Sequence, residues 1–137
     1  MWRIILSGLL LVGCVQTPVS QPVDAKRFEP VPGQSVIYIV RTPLDSRQTS
    51  QLALDDHVQI STWEGWHYRW VVPPGTHRVA GIGRPNEAVT LTTAPGGVYF
   101  LEHTVRGTFR SGPQITALRQ VDEQYGRSIV MRSYRMM

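Results

Sequence analysis

The chain has 137 residues, 42% of them hydrophobic, and a formal net charge of +4. That length accommodates one domain with a real core rather than two, and the apolar content excludes wholesale disorder. The single cysteine, Cys14, excludes an internal disulfide framework and a cysteine-rich zinc module. Charge comes almost wholly from arginine, with Lys26 the one lysine. The arginines are scattered and form no basic run, so they read first as solvated surface. The alternative is phosphate or anionic-lipid binding, which the planar guanidinium fork suits.

The chain opens Met-Trp-Arg, followed by an apolar run from Ile4 to Val12 broken only by Ser7 and Gly8. A positive start, a short apolar stretch and a small residue before a cleavage point are the marks of a secretory signal, placed at residues 1–13. The tetrad Leu11-Val12-Gly13-Cys14 resembles the bacterial lipobox. That resemblance implies a diacylglycerol on Cys14, which becomes the first residue of the mature protein and anchors it in a membrane through acyl chains. An Asp after the cysteine would imply retention in the inner membrane; Val15 stands there instead and implies the outer membrane, facing the periplasm. The competing reading is a core helix with a buried thiol. It is disfavoured because Val15-Gln16-Thr17-Pro18 continues no helical apolar period.

Residues 14–33 carry Pro18, Pro22, Pro30 and Pro32 and no apolar periodicity, which predicts a semi-stiff extended tether. The stretch around Phe28 is a candidate for docking on the domain. From 34 to 137 the pattern is that of a mainly β domain: an antiparallel β-sandwich, or a small barrel, of about seven short strands with a C-terminal helix. Ser35–Arg41 is β-branched and aromatic and reads as buried on both faces. Gln51–Leu54 and His57–Thr62 read as a hairpin around Asp55-Asp56. Trp66–Val72 and Thr76–Ile82 flank Pro73-Pro74-Gly75, read as a two-residue hairpin turn. That register pairs Trp70 with Val79, Tyr68 with Gly81 and Val72 with His77. Strands at Val89–Thr93, Val98–Val105 and Ile115–Val121 follow. Asp122 is the expected N-cap of a helix whose apolar stripe is Tyr125, Ile129, Val130 and Met131, with Arg132 and Arg135 at its end and Gly126 weakening it.

The ordered pieces IYIVR (37–41), LDDHV (54–58), YRWVVPPGTHRV (68–79) and GGVYFLEHTV (96–105) resemble the bacterial lipoprotein family known as domain of unknown function 2846. The likeness spans roughly residues 34–134, and Pro74-Gly75-Thr76-His77 is its most specific piece. Two features depart from the family pattern: Asp55-Asp56 replaces an Asp-Gly-type turn, and a tyrosine pair is missing beside Phe100. The resemblance implies an envelope-anchored β domain and brings no catalytic residue.

The segment WEGWHYRW (63–70) invites a glycan-stacking platform, but most of its aromatics are expected in the core, with Trp63 left exposed. The hairpin register puts His67, Arg69 and Arg78 on the opposite, solvated face. Trp63, Arg69 and Arg78 are therefore the candidate ligand-binding residues, for a glycan or an anionic lipid. His57, His67, His77 and His103 form no metal-binding spacing, so no metal or other cofactor is expected. His77 is expected to cap a turn or bond a nearby carbonyl, and Asp55 and Asp56 to satisfy local backbone donors. Gly81-Ile82-Gly83-Arg84-Pro85-Asn86 lacks the third glycine of a dinucleotide loop and reads as a turn. With no nucleophile elbow and Cys14 acylated, no catalytic residue is assigned. The expected role is a non-enzymatic, membrane-anchored binding or bracing module, its partner an envelope protein, glycan or anionic lipid and not nucleic acid. A hydrolase or carrier acting on envelope polymers, and a metal-dependent binder using the histidines, are the rival classes.

Overall fold

Among the described residues, β-branched and aromatic runs interrupted by Gly and Asp turns build nine strands: β1 (Ser35–Val40), β2 (Ser50–Leu54), β3 (Val58–Thr62), β4 (Trp66–Val72), β5 (Gly75–Gly81), β6 (Arg84–Thr93), β7 (Val98–Thr108), β8 (Gly112–Val121) and the two-residue β9 (Tyr134–Arg135). The helix α1 (Glu123–Arg132) follows β8. The computed structural model describes residues 25–42, 46–108, 110 and 112–135. The signal peptide at 1–13, Cys14 and the tether up to residue 24 lie outside the described residues.

The strands form two stacked sheets, ordered β8-β7-β1-β4-β9 and β3-β2-β5-β6. Antiparallel pairs dominate, but β1 runs parallel to β7, and β9 parallel to β4. All six residues of β1 are buried, because this central strand is covered on both faces. Ile37 and Ile39 face the core between the sheets, with Leu52, Leu54, Val79, Leu91 and Leu101. Val36, Tyr38 and Val40 face a second core on the outer side of the same sheet, beneath α1.

That second core reaches into the segment read as tether. Ala25 and Phe28 are buried in it, the Phe28 ring lying 5.5 Å from Tyr38 and 5.9 Å from Phe100. The Tyr38 hydroxyl donates to the Ala25 carbonyl at 2.6 Å. The folded unit thus includes residues 25–33 as well as 34 onward.

The hairpin expected across Pro74-Gly75 does not form. β4 pairs with β1 in one sheet and β5 with β2 and β6 in the other, so Trp70 meets Ile37 and Val79 meets Val89 and Leu54. Pro73 and Pro74 have no N–H to give to a hairpin ladder, and the chain uses them to cross between layers. Tyr68, Trp70 and Val72 still face the inter-sheet core, as their apolar character requires. The turn at 81–86 is also tighter than expected: Gly81 pairs with Arg84 around Ile82-Gly83, and Arg84 to Asn86 already belong to β6.

The Asp122 side chain caps α1 by accepting from the Tyr125 N–H at 2.8 Å. The stripe facing the sheet is Gly126, Ile129 and Val130, while Tyr125 and Met131 are 37% and 54% exposed. Gly126 is there for contact: a Cβ on it would stand 2.3 Å from Phe100 Cγ. Arg135 falls in β9 rather than in the helix.

Candidate functional site

The three residues expected to bind a ligand occupy different parts of the molecule. Trp63, in the turn after β3, is 41% exposed, its ring centroid 5.9 Å from that of Trp66. Arg69 lies on the outer face of the five-stranded sheet and donates from Nη2 to the Glu29 carbonyl at 3.0 Å, strapping the N-terminal segment down. Its Nε is enclosed without a hydrogen-bond partner. Arg78 lies on the outer face of the other sheet, because β4 and β5 belong to different layers. There it pairs with Asp56 at 3.2 Å beside a shallow hollow of about 280 Å³ floored by Ala53, Ala80 and Gly81. Arg69 and Arg78 therefore share no surface. His67, expected beside them in solvent, is buried under α1 with Nδ1 2.6 Å from the Ser133 hydroxyl.

What the sequence reading missed is a buried polar chain near one end of the sandwich. Arg41, 1% exposed, donates from Nη1 to the carbonyls of Gln48 and Thr62, both at 2.8 Å, and from Nη2 to the Ser46 carbonyl. It thereby holds the connection to β2 against the end of β3. Next to it, Thr62 Oγ1 lies 3.0 Å from His103 Nδ1, and His103 Nε2 lies 3.0 Å from Glu87 Oε1. Glu87 also accepts from Arg84 Nε at 2.8 Å and from the Thr116 hydroxyl. Arg84 in turn donates to the Ser50 hydroxyl at 2.7 Å. Glu87 on β6 thus ties the four-stranded sheet to β7 and β8 of the other.

The Glu87 carboxylate takes the Nε2–H of His103, which leaves Nδ1 as an acceptor. The Thr62 hydroxyl has one proton and two acceptors in reach, Nδ1 and the Ser50 carbonyl at 3.1 Å; this tautomer draws it to Nδ1. Burial is the main reason that the His103 pKa is lowered, to about 4, with Arg41 and Arg84 adding to it against the pull of Glu87. Because Arg84 already neutralises Glu87, the imidazole has no need to be charged.

A hydroxyl, an imidazole and a carboxylate in hydrogen-bonded sequence are the parts of a hydrolytic triad. Here His103 has no exposed surface and Thr62 is 2% exposed, so no substrate carbonyl reaches Oγ1. The arrangement as it stands fastens strands.

A second histidine has its pKa shifted in the opposite direction. Asp55 and Asp56 carry the turn between β2 and β3, both with positive φ (49° and 58°), a conformation Asp tolerates better than most residues. That turn aims Asp55 at β5. Its Oδ1 accepts the Arg78 N–H at 2.8 Å, and its Oδ2 lies 2.6 Å from His77 Nδ1. His77 Nε2 lies 2.6 Å from the Pro73 carbonyl. The carbonyl bond matches the sequence expectation for His77, whereas Asp55 serves a donor 23 residues away rather than a local one. Both ring nitrogens face acceptors, which favours the doubly protonated ring. Burial opposes that charge, but the hydrogen bonds to Asp55 and Pro73 and the Asp55 charge outweigh it, and the His77 pKa is raised.

No family model, curated protein or solved structure matches the chain.

Among the described residues, no three His, Cys, Asp or Glu side chains converge as metal ligands would. Nor, among those residues, is any helix long and apolar enough to cross a membrane. Among the described residues, the features facing solvent include the Trp63–Trp66 pair, the hollow beside Arg78 and the outer surface of α1.

Proposed function

We propose that the protein is a lipid-anchored envelope lipoprotein of the kind the domain of unknown function 2846 family represents. Its β-sandwich is a non-enzymatic binding or bracing module. The observation that carries this reading is the tetrad Leu11-Val12-Gly13-Cys14, set behind a basic start and an apolar run. Two or three acyl chains on one residue give stable membrane anchorage where a single chain gives only reversible binding. The interior supports the non-enzymatic part of the reading: its hydroxyl–imidazole–carboxylate set is closed to solvent and spent on joining the two sheets.

The test is fractionation of cells producing the protein and its Cys14→Ala variant. The account expects wild type in the outer-membrane fraction, and the variant soluble or stalled at the inner membrane. Equal outer-membrane recovery of both would end the anchor reading.

A second reading, contact with an envelope glycan, is favoured by the aromatic edge at one end of β4. Trp63 lies beside Trp66, and Tyr134, the strand partner of Trp66, is 74% exposed. Flat apolar sugar faces pack well on such rings. On this reading Trp63→Ala weakens sedimentation with purified cell-wall glycan about tenfold or more without altering stability, in line with the loss of a binding aromatic.

A further inference from the structure

The described chain begins beside one particular surface. Ala25 opens a single 3-10 turn, Ala25–Arg27, that packs next to α1 on the outer face of the five-stranded sheet. The Lys26 ammonium donates to the Met131 carbonyl at 3.2 Å, closing the C-terminal end of the helix. The Arg127 guanidinium lies over the Phe28 ring, 4.8 Å from its centroid. These contacts set the 3-10 turn and the helix side by side, with their solvent faces in one layer. That layer carries four cationic side chains, Lys26, Arg27, Arg127 and Arg132, and the half-exposed Met131. Three carboxylates answer them: Glu29, 3.7 Å from Arg27, Glu123, paired with Arg127, and Asp122 at the helix N-cap. The balance is positive by one charge, and the exposed Met131 stands in the last helical turn beside Arg132, where Lys26 bonds its carbonyl.

If Cys14 is acylated, eleven residue steps join the bilayer to Ala25, a reach of at most about 40 Å. Such a tether joins the domain at this basic layer, where Ala25 opens the 3-10 turn.

We propose that the outer face of α1 together with Lys26 and Arg27 is a membrane-docking surface for anionic phospholipid headgroups, with Met131 entering the interface. This rests on the lipid-anchor reading. Charge complementarity and the position of the tether select the occupant. Basic side chains near an anionic surface are attracted over a Debye length, and one exposed apolar group among them adds insertion. The docked domain lies with its helix layer on the bilayer, the four-stranded sheet outermost, and Trp63 and the hollow beside Arg78 free for another partner.

The test uses the full-length acylated protein, purified from membranes and reconstituted in phosphatidylcholine vesicles with or without about a quarter phosphatidylglycerol. A polarity-sensitive fluorophore is placed at Met131→Cys, or at Thr90→Cys on the outer face of the four-stranded sheet, and quenched by brominated lipid. Acylation occupies Cys14, so the introduced thiol is the one that reacts. With phosphatidylglycerol present, quenching at 131 is expected to exceed that at 90 by about threefold or more, and the excess to vanish in about 0.5 M salt. The double variant Lys26→Glu, Arg132→Glu is expected to lose the excess at low salt as well. The salt and lipid arms need no substitution in the basic layer, so they decide the matter even if that variant folds poorly. Equal quenching at the two positions, or stronger quenching at 90, overturns the docking surface. A mass of the N-terminal peptide showing no acyl group on Cys14 overturns the anchor reading and this inference with it.

Discussion

His77 and His103 lie in the same sandwich and have their pKa values shifted in opposite directions, for reasons visible in their partners. His77 faces an acceptor at each ring nitrogen, and its pKa is raised above the ordinary 6.5. Its stabilising contribution is present in full below about pH 6.5 and is lost as pH rises through the raised folded value. His103 is neutral in the fold, with its pKa lowered from 6.5 to about 4. The unfolded chain binds the extra proton, so this site costs stability as pH falls from about 6.5 toward 4. His77→Gln is therefore expected to be most destabilising near pH 6 and progressively less so above it. His103→Gln should be most destabilising at neutral pH, with the cost shrinking toward acid. Urea midpoints of wild type and both variants at about pH 5, 7 and 8.5 check this; two variants with parallel pH profiles would contradict it.

These residues show what a linear reading reaches. In β7, His103 sits between Leu101 and Val105 on the alternate positions that face inward, and in β6 Glu87 precedes Val89 and Leu91 on the same parity. Period-two alternation alone marks both as inward polar side chains needing partners. It does not say that they meet, because that depends on β6 and β8 closing one side of the sandwich. Tyr38 and Arg41 are a similar case. They lie close in sequence, yet one hydroxyl bonds the Ala25 carbonyl and one guanidinium gathers carbonyls from 46, 48 and 62, from segments that only the fold brings near.

At the scale of elements, strand positions were legible because β-branched and aromatic runs alternate with turn residues, and β4 falls on Trp66–Val72 as read. Strand partnership was not. Pro-Pro-Gly suits a turn, but with two prolines at the crossing the chain changes layer, and the shift separates Arg69 from Arg78. The helix was legible through Asp122 and misjudged at Gly126. Glycine weakens an isolated helix by about 1 kcal/mol relative to Ala, yet here it lets α1 lie against Phe100. Gly126→Ala is accordingly expected to destabilise the fold by about 1–3 kcal/mol, the usual cost of overpacking, despite its better helix propensity. A denaturant midpoint at or above that of wild type would refute the close approach. The N-terminal segment belongs to the same core, so Phe28→Ala is expected to cost about 3 kcal/mol. A loss below about 1 kcal/mol would mean that residues 25–33 are tether, as the proline pattern first suggested.

The described fold has a helix layer, a five-stranded sheet and a four-stranded sheet, with apolar cores on both sides of the central β1. Polar side chains inside it join strands: Glu87 fastens one sheet to the other, and Asp55 fastens a turn to His77 and the backbone of β5. Among the described residues, the solvent-facing features include the aromatic pair at one end, the hollow beside Arg78 and the basic helix layer. The account rests on Cys14, and the most direct measurement is the intact mass and N-terminal peptide mass of the protein extracted from membranes. A mature chain beginning at Cys14 and carrying a diacylglyceryl group with additional acyl is the expected result. A chain that retains Met1 or begins elsewhere, with Cys14 unmodified, would contradict it.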